Sequence, residues 1–548
     1  MTNMTKIIRR LIIIGMCLFA PLAIKLGAYW FHKPGGSIFL KHNKARADII
    51  DSNGVLLATT IPTKSVYIIP SEVIEKSETI INEFAPILNV SKEYLNRKLH
   101  AKSRKFVWIV RHIAPWQAYE IAKLGYSGVY VAKDSRRFYP LGAMFNHIVG
   151  RVDDDNNGLS GVEKSFNEVL TTRQESLKLS LKVPVQAVLK EILDEGKKEF
   201  EANAVYGMII CAKTGKILAS YSQLENVDEN PHENYKLDGS CINLNTQSVF
   251  EYGSVLKFIA AAMFLENKVV TLSTRIAAPA QLKLGKFTIK DVNRTWNCEY
   301  SFQEAFVKSS NVVFGTLASR AGLKNQLEFF HRCGFFDHMT IDNMTVVDGI
   351  FPKKWGYMNC FTATYGYGLA ITAAHYIRGA LRVLTGHEHE LHILDDYKGF
   401  YAHENKLREE EGRPILNCKV PDLSKKILSD HALWDARFLL RQCFKASQMA
   451  AKYELEGYNI GGKTGTANNR VGGGKKGYKE KCNRCSYTFA IPANNPQIIG
   501  FIVIDEPKPS AKTFGWATAG WTAAPLGFRL MARLIPILNL KKEPVIFG

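Results

Sequence analysis

The chain has 548 residues, 46% hydrophobic and 22% charged, enough for about three packed domains or one large and one medium; these values exclude collagen, coiled coil and long disordered tails. A mean hydropathy of −0.10 with one long apolar run excludes a polytopic membrane protein, and 10 Cys are too sparse for a disulfide scaffold. The 71 Lys and Arg against 51 Asp and Glu leave a net charge of +20, which favours anionic partners, but no zinc finger, helix-turn-helix or aromatic-basic RNA signature accompanies it, so nucleic acid is not expected.

Residues 1–10 carry Lys6, Arg9 and Arg10 without an acid. Leu11 to Phe31 then form 21 mostly apolar residues. As a helix they span roughly 30 Å, one hydrocarbon core. Lys25 can snorkel to the interface, and Tyr29 and Trp30 suit an interfacial belt. The expectation is a cytoplasmic tail (1–10), an uncleaved transmembrane anchor (11–31) and a working part outside the cytoplasm. The poor small-x-small match at Leu26-Gly27-Ala28 argues against a cleaved signal peptide.

A basic tether follows at 32–45. Asp51-Ser52-Asn53-Gly54 between apolar runs predicts a hairpin. Ser71 and Ser91 are candidate helix starts, and 150–163 a loop entering a helix. The texture changes near 175, giving a first domain over 32–175 and a second over 176–548. LKLSLKV (177–183) predicts a strand, and Val185, Val188, Leu189, Ile192 and Leu193 the apolar stripe of a helix. YGMIICA and ILASYS, joined by Lys213-Thr214-Gly215-Lys216, predict a second hairpin. Strands return only at 486–491 and 498–505, so one antiparallel sheet closed by both ends of the domain is expected, flanked by helices. Residues 386–425 suggest a polar surface excursion.

Three motifs carry chemistry. In Ser254-Val255-Leu256-Lys257 the hydroxyl and amine share a helix face, with Gly253 allowing a tight entry. Ser254 needs a base to become nucleophilic. Lys257 could serve only if burial and a second cation lower its pKa from about 10.4. Ser309-Ser310-Asn311 offers a hydroxyl and an amide. Lys463-Thr464-Gly465-Thr466 offers the second cation and two hydroxyls, although strict alternation would put Lys463 and Thr464 on opposite strand faces. Each motif alone is weak, but S-x-x-K, S-x-N and K-T-G in this order form a specific set.

With these motifs the chain resembles the class B penicillin-binding proteins, the monofunctional peptidoglycan D,D-transpeptidases, most of all the septal, FtsI-type branch. Further likenesses lie in Arg46 to Gly54, Arg137-Phe138-Tyr139-Pro140, Gly158 to Glu163, and Tyr365-Gly366-Tyr367-Gly368 with Thr372. The resemblance implies an α+β penicilloyl-serine transferase fold behind a smaller α+β pedestal. It implies Ser254 as nucleophile, Lys257 as base, Ser309 as proton relay and Lys463 as counter-charge. Asn311, Thr464, Gly465 and Thr466 would bind substrate, with the N–H groups of Ser254 and Thr466 as oxyanion hole. Stem peptides and β-lactams are the implied ligands, a membrane-embedded glycan polymerase and other division proteins the implied partners. No cofactor or metal is implied, and the location is the bacterial inner membrane with the catalytic domain in the periplasm. Tyr252 and Lys182-Val183-Pro184 depart from the family pattern. The same chemistry would serve side-wall elongation, a β-lactam hydrolase or sensor, or, were it silent, a scaffold.

Other patterns compete. Gly457 to Thr464 formally matches a phosphate loop, but neither a strand before nor a helix after is expected. Cys482-Asn483-Arg484-Cys485 lacks the second pair of a zinc site, leaving a disulfide or two free thiols in a loop between strands. His387, His389 and His392 read as a solvated loop, and Gly472 to Gly474 as a hairpin tip.

Overall fold

The computed structural model describes residues 46–542 except 74, 101–105, 225–241, 285–286, 293, 448–456 and 471–477. The expected tail, anchor, tether and Gly472–Gly474 tip lie outside the described residues. Among the described residues no helix is long and apolar enough to cross a membrane.

The first hairpin forms where expected. Asp51 Oδ1 accepts the backbone N–H of Asn53 at 2.8 Å and of Val55 at 2.9 Å, and Gly54 takes φ +87°. This turns β1 (Ile49–Ile50) back onto β2 (Leu56–Ile68). β2 also pairs with β3 (Val107–Ile113) and β4 (Val129–Phe138), and β1 runs parallel to β5 (Leu177–Lys178). Helices Ser77–Leu88, Lys92–Leu99 and Pro115–Leu124 bury Ile80, Phe84, Leu95 and Ile121 against Val66, Ile68 and Ile109. Ser91 caps its helix by accepting the Tyr94 N–H. Ser71 does not start one: Pro70–Glu72 is a single 3-10 turn, and the helix begins at Ser77. The 177–183 strand is likewise cut short at Lys178, and helix Val183–Glu199 begins with Pro184 in its first turn, where a missing N–H costs nothing.

Three sequence motifs of this half meet in one buried cluster. Glu163 receives Arg46 Nε at 2.5 Å and Arg137 Nε at 2.7 Å, and all three side chains are at most 1% exposed. Arg46 also donates to the carbonyls of Asn156 and Glu163. Removing the shared carboxylate would strand two buried guanidinium groups. Glu163→Ala is therefore expected to lower stability by about 3–5 kcal/mol, read as a fall in urea midpoint. A change below about 1 kcal/mol would mean that the cluster is not a structural anchor.

The second half is organised by a five-stranded antiparallel sheet of order β14-β15-β16-β6-β7. Its members are β6 (Ala204–Cys211), β7 (Ile217–Leu224), β14 (Gly461–Arg470), β15 (Tyr478–Ile491) and β16 (Ile498–Asp505). Alternation splits β6: Val205 and Ile209 pack on the terminal helices Val183–Glu199 and Ala523–Ile537, while Tyr206, Met208 and Ile210 face the larger core. That core is threaded by helix Leu256–Glu266, buried on every side from Leu256 to Leu265. The middle of the domain is not free of strands. β8 (Arg275–Ala278) pairs β11 (Cys298–Ser301), β9 (Leu282–Leu284) pairs β10 (Phe287–Ile289), and β12 (Thr340–Ile341) pairs β13 (Met344–Thr345). These pairs are too short to carry a period in the sequence.

The 386–425 segment is not wholly a surface excursion, nor is its histidine cluster solvated. His389 to Leu394 are buried, and Tyr397–Glu410 is a helix. Apolar Leu391, Ile393 and Leu394 draw the chain inward, and Glu390 pairs with buried Arg378 and Arg382 at 3.0 and 2.7 Å. His392 Nδ1 lies 2.9 Å from Asp342 and its ring stacks on Tyr397 at 3.5 Å. Among the described residues no group of His, Cys, Asp and Glu is arranged to hold a metal. Cys482 and Cys485 lie inside β15 rather than in a loop, and both are free thiols. Three residues apart on a strand, they point to opposite faces.

Candidate active site

Ser254 stands at the entry to the buried helix. Gly253 takes φ +61°, and a Cβ there would come within 2.5 Å of the Thr466 carbonyl oxygen, so only glycine lets the turn lie against β14. Gly366 closes the other side, its carbonyl accepting the Gly253 N–H at 3.3 Å. Tyr252, where the family pattern differs, is fully buried and packs edge-on against Phe501 at 5.1 Å. It fills the core beneath the turn.

Ser254 lies in a 3-10 turn, Gly253–Val255, and at the second position of the helix that follows Lys257 Nζ lies 2.7 Å from Ser254 Oγ, 3.2 Å from Ser309 Oγ and 2.7 Å from Asn311 Oδ1. Lys463 Nζ reaches the same Ser309 Oγ at 3.2 Å and also donates to the Thr464 carbonyl at 3.1 Å. Five residues distant in sequence thus share one polar cluster: Ser254, Lys257, Ser309, Asn311 and Lys463. Ser309 adopts φ +57° between helices Phe302–Val307 and Asn311–Ala321, a left-handed conformation unfavourable for a side chain with a Cβ. Ser310 caps the second helix and so turns its own side chain away from the cluster.

Both amines are buried, Lys257 at 0% and Lys463 at 1% exposure. Burial pushes the Lys257 pKa well below its ordinary value, and the charge of Lys463 pushes it further. Burial also lowers Lys463, offset in part by Cys443. Two ammonium groups beside one hydroxyl cannot both stay charged at low cost. The larger downward push falls on Lys257, so of the two amines it is the readier to give up its proton.

Strand alternation holds in β14. Lys463 and Gly465 face the Ser254 turn and its helix. A Cβ on Gly465 would fall 2.6 Å from both the Tyr252 carbonyl and Ser486 Oγ. Thr464 pairs with Tyr487 and lines a cavity of about 790 Å3 on the other side, shared with Lys308, Cys443 and Phe528. Thr466 Oγ1 accepts the Ala519 N–H at 3.1 Å. The phosphate-loop pattern is absent as structure, because Lys463 and Thr464 continue a strand rather than open a helix.

The sequence reading missed Asp291. Its carboxylate accepts Ser310 Oγ at 2.7 Å and the Val312 N–H at 3.0 Å, and pairs with Arg294 at 2.8 Å. It thereby fixes the turn that carries Ser309 and Asn311. No local spacing marks it, since it comes from the stretch after β10. Glu251 was also missed; it accepts the Gly368 N–H at 2.8 Å and ties the Tyr365–Gly368 segment to the Ser254 turn.

Comparison with known proteins gives a consistent match. The family described as penicillin binding protein transpeptidase domain matches residues 205–526, and the penicillin-binding protein dimerisation domain matches 41–184. The chain is 27% identical to the probable peptidoglycan D,D-transpeptidase FtsI of Caulobacter vibrioides, over 98% of this chain and 89% of that one. It is 24% identical to peptidoglycan D,D-transpeptidase FtsI of Escherichia coli, over 92% and 85%. The fold matches the crystal structure of penicillin binding protein 3 from Mycobacterium tuberculosis in complex with aztreonam, with a TM-score of 0.68 at 20% identity, covering 92% of this chain and 98% of that one.

Proposed function

The chain belongs to the penicillin-binding protein transpeptidase family, and from that premise we propose that it is a septal peptidoglycan D,D-transpeptidase working through an acyl-Ser254 intermediate. The observation that carries the mechanism is the 2.7 Å approach of a desolvated Lys257 amine to Ser254 Oγ. Ser254 Oγ attacks the penultimate D-Ala carbonyl of a stem peptide, and its proton passes to Lys257 Nζ. The backbone N–H groups of Ser254 and Thr466 stabilise the oxyanion, a contribution of about 3–4 kcal/mol per donor. As the C–N bond breaks, the leaving D-Ala amine takes a proton through Ser309, which Lys463 holds in hydrogen-bond reach. The amine of a neighbouring strand then attacks the ester and frees Ser254. Asn311 holds the peptide amide. Thr464 and Thr466 share one strand face and receive the terminal carboxylate; Thr464 and Lys308 line the 790 Å3 cavity on that face, and Lys463, on the opposite face, adds its charge only across the strand. The septal assignment rests on the FtsI names of the relatives.

The 11–31 run supports a single-pass anchor in the inner membrane, with 32–175 as pedestal and 176–548 as catalytic domain in the periplasm. The division partners and glycan polymerase named by the resemblance belong to this same proposal.

Incubation with a penicillin followed by intact mass measurement tests the reading. An adduct on Ser254 that persists for minutes fits a transpeptidase; hydrolysis within seconds would make the chain a β-lactamase, and no adduct on folded protein a scaffold. The pH profile of acylation is a second test. A lysine base acts when neutral, and its neutral fraction grows as pH rises through its pKa. Because the Lys257 pKa lies well below 10.5, the rate is expected to rise and level off well before that pH. A rise still continuing at pH 10.5 would remove Lys257 as the base.

A further inference from the structure

A second cavity, of about 690 Å3, lies where the β6–β7 turn, the β15–β16 turn and the end of helix Ala523–Ile537 meet. No member of the Ser254 cluster lines it. Its wall carries Lys182, Lys213 and Arg437, with no Asp or Glu, and its floor is apolar, including Leu218, Ile498 and Leu538. Its volume falls in the range of small-molecule sites.

Two features mark it as built for a ligand rather than left over. Arg437 is half-buried, and its partners are carbonyls: Leu384 O accepts Nε at 2.8 Å and Nη2 at 2.6 Å, and Asn494 O accepts Nη1 at 2.7 Å. These orient the guanidinium but do not neutralise it, and each terminal nitrogen keeps a further N–H. Burial accordingly pushes its pKa down to about 10. His389 also lines the cavity, is 5% exposed, and has an Nδ1 with no hydrogen-bond partner among the described residues. Lys182 and Lys213 form no ion pair among the described residues. Lys213 is exposed and Lys182 half-buried, so water serves their ammonium groups; the guanidinium that no carboxylate meets and the orphaned imidazole nitrogen are what leave the void short of negative charge and of hydrogen-bonding atoms.

We propose that this cavity binds an organic phosphate, its phosphate held by Lys182, Lys213 and Arg437 and its apolar portion lying on the leucine floor. Three spread cations suit a phosphate's several oxygens, and Arg and Lys are the usual side chains for it. The source is a lipid headgroup or a soluble phosphate ester. The site is independent of the Ser254 chemistry.

Isothermal titration of the full chain in non-ionic detergent tests it, with hexyl phosphate, dihexanoyl phosphatidylglycerol and inorganic phosphate as probes. At least one of the two amphiphiles is expected to bind about tenfold or more tighter than inorganic phosphate, because that probe alone cannot use the apolar floor. Tighter binding of the phosphatidylglycerol assigns a lipid source, and tighter binding of hexyl phosphate a soluble one. The double variant Lys182→Gln, Lys213→Gln should weaken the better probe by about a hundredfold, roughly tenfold per charge-assisted contact. Its unfolding temperature serves as the control for folding. Arg437→Gln should weaken it as well, but that residue also ties the end of helix Ala373–Thr385 to the β15–β16 turn. Equal affinity for all three probes, absence of binding, or undiminished binding by the folded double variant would each overturn the proposal.

Discussion

Ser254→Ala is expected to abolish covalent labelling by fluorescent penicillin while leaving the unfolding transition almost unchanged. The two effects separate because the hydroxyl is reactive but contributes little to packing. Ser254 is half-buried at the helix entry, and its hydroxyl accepts a hydrogen bond from Lys257. The turn itself is fixed by Gly253, by the Gly366 carbonyl and by the buried Tyr252 ring, none of which the substitution touches. With no oxygen at that position no ester can form, so labelling should fall to background. Residual labelling at wild-type rate would assign the nucleophile elsewhere, and Ser309 would then be the first candidate, since it lies 3.2 Å from both amines.

Lys257→Ala is expected to slow acylation by about 10²–10⁴-fold, the range for loss of a positioned general base. Lysine is not replaceable by arginine here. A guanidinium keeps its proton at every accessible pH and has no lone pair to accept one from Ser254. Lys257→Arg should therefore be as inactive as the alanine variant, and its remaining rate should lose the pH dependence of the wild type. Stopped-flow acylation across pH checks both. An arginine variant within a few-fold of wild type would show that a positive charge, rather than a base, is what this position supplies. The substitution bears on stability as well. Removing a desolvated amine relieves a burial penalty, but it leaves a small cavity among Phe314, Tyr365 and the polar cluster.

Much of this site was legible in the sequence, because its reactive groups sit in short runs whose chemistry is local. Ser254 and Lys257 lie three residues apart across a 3-10 turn that runs into helix Leu256–Glu266, a stretch the sequence marks by its lack of Gly and Pro. The meeting of Lys463 with Ser309, 154 residues away, was legible only through the family likeness. Asp291 was not legible at all, since its role depends on where β9 and β10 deliver the chain. The 386–425 segment misled for a related reason. Its polar composition resembles a solvated loop, yet its charges are spent inward: Glu390 on two buried arginines and His392 on Asp342. Composition reports how many polar groups a segment has, not whether another segment is waiting to satisfy them. The pedestal cluster shows the converse. Arg46, Arg137 and Glu163 were noticed as parts of three separate motifs, and their common purpose appeared only when the strands brought them together.

The helix after Ser254 has no face toward water, and that constrains how this protein can change. From Phe258 to Leu265 every side chain is hemmed in by others, so drift there is confined to exchanges that conserve volume and keep the helix straight. Variation that alters which inhibitors the protein tolerates must accordingly accumulate around the rim, at exposed positions such as Glu304 and Lys308 beside the 790 Å3 cavity. The centre is inherited as a unit, and adaptation is left to its borders.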